Sequence, residues 1–415
     1  MANKAVINLS PFNIEFYHDG VMTVKVNSNG LMKFEQLRTK PSVIDPSEDS
    51  DSWEEEFNGG IDSKPNGPEA VALDFTFPES EVLFGIPEHA DSFGLRITKD
   101  SEPYRLYTLD VPGYVVGSRE ALYGSIPVLY GHGQKKTAAI FWHNSADTFI
   151  DIHDMKNAHF MSEVGIIDVF VLLGPKPHDT FKQYTKLTGV AGLPQLFTLA
   201  YHQSRWNYDS QQDLLEVVSN FNQNDIPLDT MWLDIEYTDR KRYFTWDKVA
   251  FPNPLAMMKN LSDTGKKLTF IIDPHIAKDD EYFFYRGNKD RGFYVKDASG
   301  ADYEGSCWPG MSSYVDFFNP EARRYYADQY LMENFVDNSI ETGIWNDMNE
   351  PAVFDVPENT MPRDNIHYGG WEHRCVHNMY GFMQVKGTHD GLMRRSNGSL
   401  RPFILTRAFF AGSQR

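Results

Sequence analysis

Cysteine is nearly absent from this sequence: its 415 residues carry two, Cys307 and Cys375. Two are too few for a disulfide framework or a cysteine metal site. No apolar run reaches the ~18 residues that a membrane-spanning helix needs, so no membrane insertion is expected. Positive charge is also short, with 39 Lys and Arg against 58 Asp and Glu, a net charge of −19. Nucleic acid and anionic membranes both call for a basic footprint, so neither is expected as a partner. The start, Met1-Ala2-Asn3-Lys4, lacks an apolar signal core. The expectation is therefore a cytosolic protein, or one whose secretory leader is missing from this chain. Three N-x-S tripeptides, at Asn8, Asn260 and Asn397, arise too easily by chance to weigh much.

What is plentiful is apolar and aromatic. With 41% hydrophobic and 14% aromatic residues the chain can bury more than one core. Residues 1–40 alternate apolar and polar positions, and Asp19-Gly20 and Asn29-Gly30 read as two-residue hairpin turns. Residues 41–69 read as an exposed, acidic loop with some mobility. Short strands punctuated by Gly and Pro then run to about residue 173. The expected amino-terminal domain, 1–176, is thus a β-sandwich. A connecting helix and linker follow at 177–195, where Gly192-Leu193-Pro194 breaks the chain.

From residue 196 strand-like runs alternate with amphipathic helical stretches, the pattern of a parallel α/β sheet. Strands are expected near Leu196–His202, Leu228–Ile235, Leu268–Pro274, Ile340–Asn346 and Phe403–Thr406. Helices are expected over Asp209–Asn224, with Leu214, Leu215, Val217, Val218 and Phe221 on one face, and over Pro320–Val336. The long gap between the third and fourth strands points to an insertion at about 277–339. Five strands fall short of the eight of a (β/α)₈ TIM barrel, so 196–415 is expected to form an incomplete one.

Chemistry concentrates where the fourth strand ends, in Gly343-Ile344-Trp345-Asn346-Asp347-Met348-Asn349-Glu350-Pro351. Pro351 forbids the strand's continuation, and Asp347 and Glu350 sit at its carboxyl end, the face on which such barrels carry their chemistry. A carboxylate there can attack a sugar carbon or activate water; a helix cap or an arginine partner is the plainer use. Other strand ends carry Tyr201-His202-Gln203-Ser204-Arg205-Trp206-Asn207-Tyr208, Trp232-Leu233-Asp234-Ile235 and Ile272-Asp273-Pro274-His275. Asp273 and His275 alone do not make a metal site.

The nonapeptide closely resembles the nucleophile signature of glycoside hydrolase family 31, the retaining α-glucosidases, and the resemblance runs from about residue 70 to the last residue. LFGIPEHA (83–90), EPYRLYTLDV (102–111) and ALYGSIPVLY (121–130) resemble its amino-terminal β-domain. Within the family, RYFTWD (242–247), YEGSCWPG (303–310) and YGGWEHR (368–374) are most similar to the glucosidase II group. The resemblance implies that Asp347 is the nucleophile and that Glu350 supports it. It implies that Asp234 accepts hydrogen bonds from glucose hydroxyls, while Trp206, Trp308, Trp345, Met348 and Phe354 line the pocket. Asp273 is assigned to the same pocket in support. Arg407 is implied to donate to substrate hydroxyls or to the nucleophile, its charge keeping Asp347 ionised. The family's general acid, an aspartate beyond strand six, is expected to be absent from this chain, and Glu236 and Asp355 do not align with it. The implied activity is removal of terminal α-linked glucose, α-1,3-linked on N-glycans, by double displacement. The implied location is the endoplasmic reticulum lumen, and the implied partner a non-catalytic beta subunit. No cofactor or metal is implied. The alternatives are a neutral α-1,4-glucosidase acting on maltose-like substrates, a sugar-binding fragment without catalysis, and an unrelated barrel enzyme with a divalent metal among Asp273, His275 and Asp347.

Overall fold

The structure, a computed structural model, describes residues 3–415. Its first half is a sandwich of two antiparallel sheets. One sheet runs, in spatial order, Asn3–Leu9, Phe12–His18, Val21–Val26, Val71–Thr76, Asn157–Ser162, Thr148–Ile152 and Tyr104–Leu106. The other runs Val169–Leu172, Thr137–Trp142, Val128–His132 and Val82–Gly85. Alternation along these strands turns Phe75, Ile140, Trp142, Ile150 and Phe160 into one dry core. Phe75 meets Trp142 and Phe160 edge to face, at 6.3 and 5.6 Å between ring centroids.

Asp19-Gly20 makes the expected two-residue turn: both residues have positive φ, 49° and 79°, and His18 pairs with Val21. Asn29-Gly30 does not make a hairpin. Val21–Val26 and the short strand Lys33–Phe34 both pair with Val71–Thr76 rather than with each other. The buried carboxylate of Asp74 draws the corner in by accepting the N–H groups of Asn29 at 2.9 Å and Leu31 at 3.0 Å. The acidic stretch 41–69 is also more ordered than its composition suggests. It contains a hairpin, Glu54–Phe57 with Gly60–Ser63, turned by Asn58-Gly59 with φ 46° and 83°. Ion pairing of Asp62 with Arg374 and the Ser63 hydroxyl's bond to Asp364, 2.8 Å, tie this hairpin to the second half.

After the helix Pro177–Thr188, five parallel strands form an incomplete barrel in the order His202–Gln203, Thr230–Leu233, Lys267–Ile271, Gly343–Asn346 and Ile404–Thr406. The first is shorter than its apolar run implies. Leu196–Leu199 forms a 3₁₀ turn on the open edge of the sheet, where Leu196 and Leu199 stay exposed with no neighbouring strand to order them. The helix expected over Pro320–Val336 ends at Asp328. There the side chains of Gln329 and Asn334 take the carbonyls of Tyr325 and Asp328, which a further turn would have used.

A sixteen-residue helix, Tyr380–Arg395, precedes the fifth strand, and its sequence pattern hides it because glycine recurs on its buried face. The reason is close packing. A β-carbon on Gly381 would lie 2.7 Å from the Asn349 carbonyl, and one on Gly391 2.5 Å from the Tyr330 ring. The insertion carries a helix, Phe283–Lys289, and a three-stranded antiparallel sheet of His275–Ala277, Gly310–Tyr314 and Glu304–Cys307. The two halves join through main chain as well: Gly124–Ser125 pairs in parallel with Phe409–Phe410.

Candidate functional site

Parallel register gathers the chemistry. Ile271 pairs with Trp345, and Asn346 with Thr406. Continued one or two residues, that register sets Asp273, Asp347 and Arg407 side by side at the carboxyl end of the sheet. The asparagines of the nonapeptide hold this end in place. Asn346 donates to the Ile272 carbonyl at 2.9 Å, and its own oxygen accepts from Thr388 at 2.8 Å. Asn349 donates to Thr406 at 2.9 Å and accepts the Ala408 N–H at 2.9 Å. Met348, 1% exposed, turns the chain sharply with φ of 58°, a strained conformation that surrounding packing maintains.

Arg407 is the hub. Its Nε and Nη2 each lie 2.8 Å from one oxygen of the fully buried Glu350 carboxylate, a two-bond clamp. From that fixed position Nε reaches Asp347 Oδ1 at 3.1 Å, and Nη2 contacts Met348 Sδ at 3.2 Å. The expectation that Arg407 keeps Asp347 ionised is therefore corrected. Burial pushes the Asp347 carboxyl up to about 7 despite the pull of Arg407. The physical reason is the clamp, which commits most of the guanidinium's charge to Glu350.

The neighbouring carboxyls follow the same direction. Burial pushes Asp234 up to about 6, against the pull of the Ile235 N–H that its Oδ1 accepts at 2.8 Å. That bond caps the 3₁₀ turn Ile235–Tyr237, so capping and a place at the strand end coexist in one residue. Asp273 is wholly buried, and burial followed by the adjacent Asp347 charge raises it far above the carboxylate range. Tyr243 donates to Asp273 Oδ2 and lies 3.0 Å from His275 Nε2. Asp273 Oδ1 and His275 Nδ1 have no hydrogen-bond partner. Burial lowers His275 to about 3, so this ring is neutral. Among the described residues no group of three His, Cys, Asp or Glu side chains could hold a metal ion.

The aromatic candidates are more dispersed. Trp308 and Phe354 pack edge to face at 4.8 Å, one from the insertion and the other from the loop after the fourth strand. Trp345 packs against Trp232 at 5.7 Å. Trp206 is 65% exposed on the rim, its Nε1 donating to Glu236 at 2.8 Å. Two sandwich residues escaped the reading of the sequence. Asp110 approaches Arg407 Nη2 at 3.5 Å, and the ring of Tyr123 lies 5.1 Å from its guanidinium. Both fall inside EPYRLYTLDV and ALYGSIPVLY or directly beside them, phrases whose likeness to the family was the available signal.

A larger cavity of about 710 Å³ lies elsewhere, between the 54–63 hairpin, the sandwich and residues 356–374. Its charged lining, including Arg105, Asp147, Arg363 and Arg374, is already paired. Volume alone does not mark the chemistry; the underpaired carboxyls do.

Residues 191–415 match the sequence profile of the glycosyl hydrolases family 31 TIM-barrel domain, and residues 2–151 that of the glycosyl hydrolase 31 N-terminal galactose mutarotase-like domain. The chain belongs to glycoside hydrolase family 31. A probable glucan 1,3-alpha-glucosidase of Arabidopsis thaliana is 46% identical over 99% of this chain and 47% of its own length. Glucosidase 2 subunit alpha of Schizosaccharomyces pombe is 45% identical over 98% of this chain and 46% of its own. A crystal structure of the ER glucosidase II heterodimeric complex, of catalytic subunit and binding domain of the regulatory subunit, is 44% identical with a TM-score of 0.95. It covers all of this chain and 47% of that one. The chain spans about half the length of the curated relatives it matches.

Proposed function

We propose that this chain carries the nucleophile side of a retaining α-glucosidase, acting on terminal α-1,3-linked glucose of N-glycans. The observation that carries the reading is Asp347, held at a strand's carboxyl end against an arginine that Glu350 fixes. Asp347 attacks the anomeric carbon as the bond to the leaving oxygen breaks, forming a β-glucosyl ester. An acid gives the leaving oxygen its proton. Water then attacks the same carbon, gives up a proton to the conjugate base, and releases glucose with its α-configuration and Asp347 as carboxylate. Asp234 accepts from glucose hydroxyls, and Asp273, kept protonated by Asp347, supports the pocket. Met348, Trp345, Trp308, Phe354 and Trp206 form its walls. The acid is one that residues 1–415 do not contain.

The α-1,3 linkage and the glycan are supported by the names of the relatives. Those names also support an endoplasmic reticulum location and a non-catalytic regulatory subunit as partner. No described helix is long and apolar enough to cross a membrane. The test is trapping with a slow α-fluorosugar in a chain completed to its relatives' length, followed by digestion and mass spectrometry. The adduct is expected on the peptide holding Asp347; an adduct on another carboxyl refutes the assignment. A panel of α-1,3 and α-1,4 disaccharides on the same protein should favour α-1,3, and faster turnover of maltose would point to the neutral α-1,4 activity. Residues 1–415 alone should turn over neither, for want of the acid.

A further inference from the structure

Three buried histidines outside the carboxylate site form one unbroken line of hydrogen bonds. Asp316 Oδ1 lies 2.9 Å from His367 Nδ1, and His367 Nε2 lies 2.9 Å from His373 Nδ1. His373 Nε2 is 2.8 Å from His377 Nδ1. His377 Nε2 ends the line, 2.7 Å from the Thr108 carbonyl and 3.1 Å from its hydroxyl. The three rings are 3%, 0% and 0% exposed. The Thr108 hydroxyl in turn donates to the Glu350 carbonyl at 3.2 Å. The line thus starts beside the insertion, crosses into the sandwich and touches the residue that clamps Arg407.

Counting hydrogens along it gives an uneven result. At one end the Thr108 carbonyl can only accept, so His377 Nε2 must carry a hydrogen. At the other end Asp316 receives two backbone donors, Phe318 N–H on Oδ1 at 3.1 Å and Tyr368 N–H on Oδ2 at 2.5 Å. Such donors favour its charged form, which leaves His367 Nδ1 to supply the hydrogen between them. Two further links join the rings. Four links need four hydrogens, and three neutral imidazoles hold three. Turning a ring over does not help, because both nitrogens of every ring are in use.

We propose that Asp316, His367, His373 and His377 form a positioning relay holding one proton more than three neutral imidazoles, paired with the Asp316 carboxylate, which fixes the Thr108–Glu350 contact between sandwich and barrel. Burial holds His373 well below its ordinary range and lowers His377 to about 3, so the charge stays on the ring beside Asp316. The groups packed around the relay add no second counter-charge. Tyr107 stacks on His377 at 3.8 Å, Phe318 meets His367 edge to face at 5.0 Å, and Tyr380 spends its hydroxyl on the Val315 carbonyl. The nearby cations Arg105, Arg363 and Arg374 are matched by Asp147, Glu358, Glu163, Asp62 and Glu372. The inference does not depend on the proposed activity.

The test is two-bond ¹H–¹⁵N correlation on the full chain labelled with ¹⁵N-histidine, at pH 8, where an exposed imidazole is neutral. One ring should carry slowly exchanging hydrogens on both nitrogens, with cross-relaxation to a ring hydrogen of a neighbouring imidazole placing it in the relay. In Asp316→Asn the amide can donate to His367 Nδ1, so three ring hydrogens suffice. The doubly protonated ring should then disappear while the other two rings keep their bonded hydrogens. A wild-type spectrum without such a ring at pH 8 overturns the proposal, whether or not the variant folds. So does a doubly protonated ring that persists in Asp316→Asn.

Discussion

The strand-end site and the junction between the halves use the same residue types to opposite effect. At the junction Arg105 and Arg363 flank the ring of Tyr107, 4.6 and 5.0 Å from it, and share Asp147 and Glu358. Burial pushes Glu358 up, yet Arg363 and then Arg105 hold it down to about 2. At the strand ends Asp347, Asp273 and Asp234 crowd around one arginine that Glu350 has already engaged, and burial raises all three. Cations balance acids at the junction, which favours cohesion. Acids exceed cations at the strand ends, which leaves a carboxyl close to neutrality and poised for chemistry.

The largest break in this contrast should come from Asp347→Asn in a chain completed to its relatives' length. Glucosidase turnover should fall by several orders of magnitude, since an amide cannot form the ester; wild-type turnover in the purified variant would end the assignment. Next comes the junction. Arg363→Met leaves Asp147, Glu163 and Glu358 without a shared cation and should cost about 3–5 kcal/mol in urea unfolding. A loss below ~1 kcal/mol would mean the network behaves like surface pairs. Asp234→Ala should cost roughly 100-fold in kcat/KM, about 2–3 kcal/mol, because sugar hydroxyls lose their acceptor. A substrate already lacking the affected hydroxyl should suffer less, and equal losses would make Asp234 a cap alone.

The smallest effect sharpens the comparison through pH. Asp347 and Asp234 have folded values above their unfolded ones. Their contribution to stability is therefore present below about pH 4 and lost as pH rises toward 6 to 7. Glu358 has a folded value below its unfolded one. Its contribution is present above about pH 4 and lost as pH falls toward 2. Asp347→Asn should accordingly stabilise the fold by about 1–3 kcal/mol at pH 8, with the gain shrinking toward zero near pH 4. Glu358→Gln should lower stability at neutral pH and flatten the acid limb. Thermal melts of both variants across this range check the two signs, and slopes of the same sign would erase the distinction.

Much of this was legible in order along the chain. The period-two stretches, the switch to alternating strands and helices after residue 190, and Asp347 beside Pro351 all depend on near neighbours. Such features are set by local sterics, turn chemistry and side-chain periodicity. The hairpin at 54–63 was obscured by Glu54-Glu55-Glu56, whose acidity outweighed the Asn58-Gly59 turn signal. The helix 380–395 was obscured by glycines that serve contacts with Tyr330 and Asn349, residues distant in sequence.

What the sequence by itself determined is where the acids stand: at the ends of strands, because alternation and Pro351 leave them no other position. Only the tertiary structure decided which charge each acid meets. Arg407 clamps Glu350, 57 residues away, before it reaches Asp347, and Asp110 arrives from the sandwich. His377 finds Thr108 across 269 residues. Charge pairing and desolvation depend on separations of a few ångströms and on the exclusion of water. Spacing along a chain carries neither quantity until the halves are packed together.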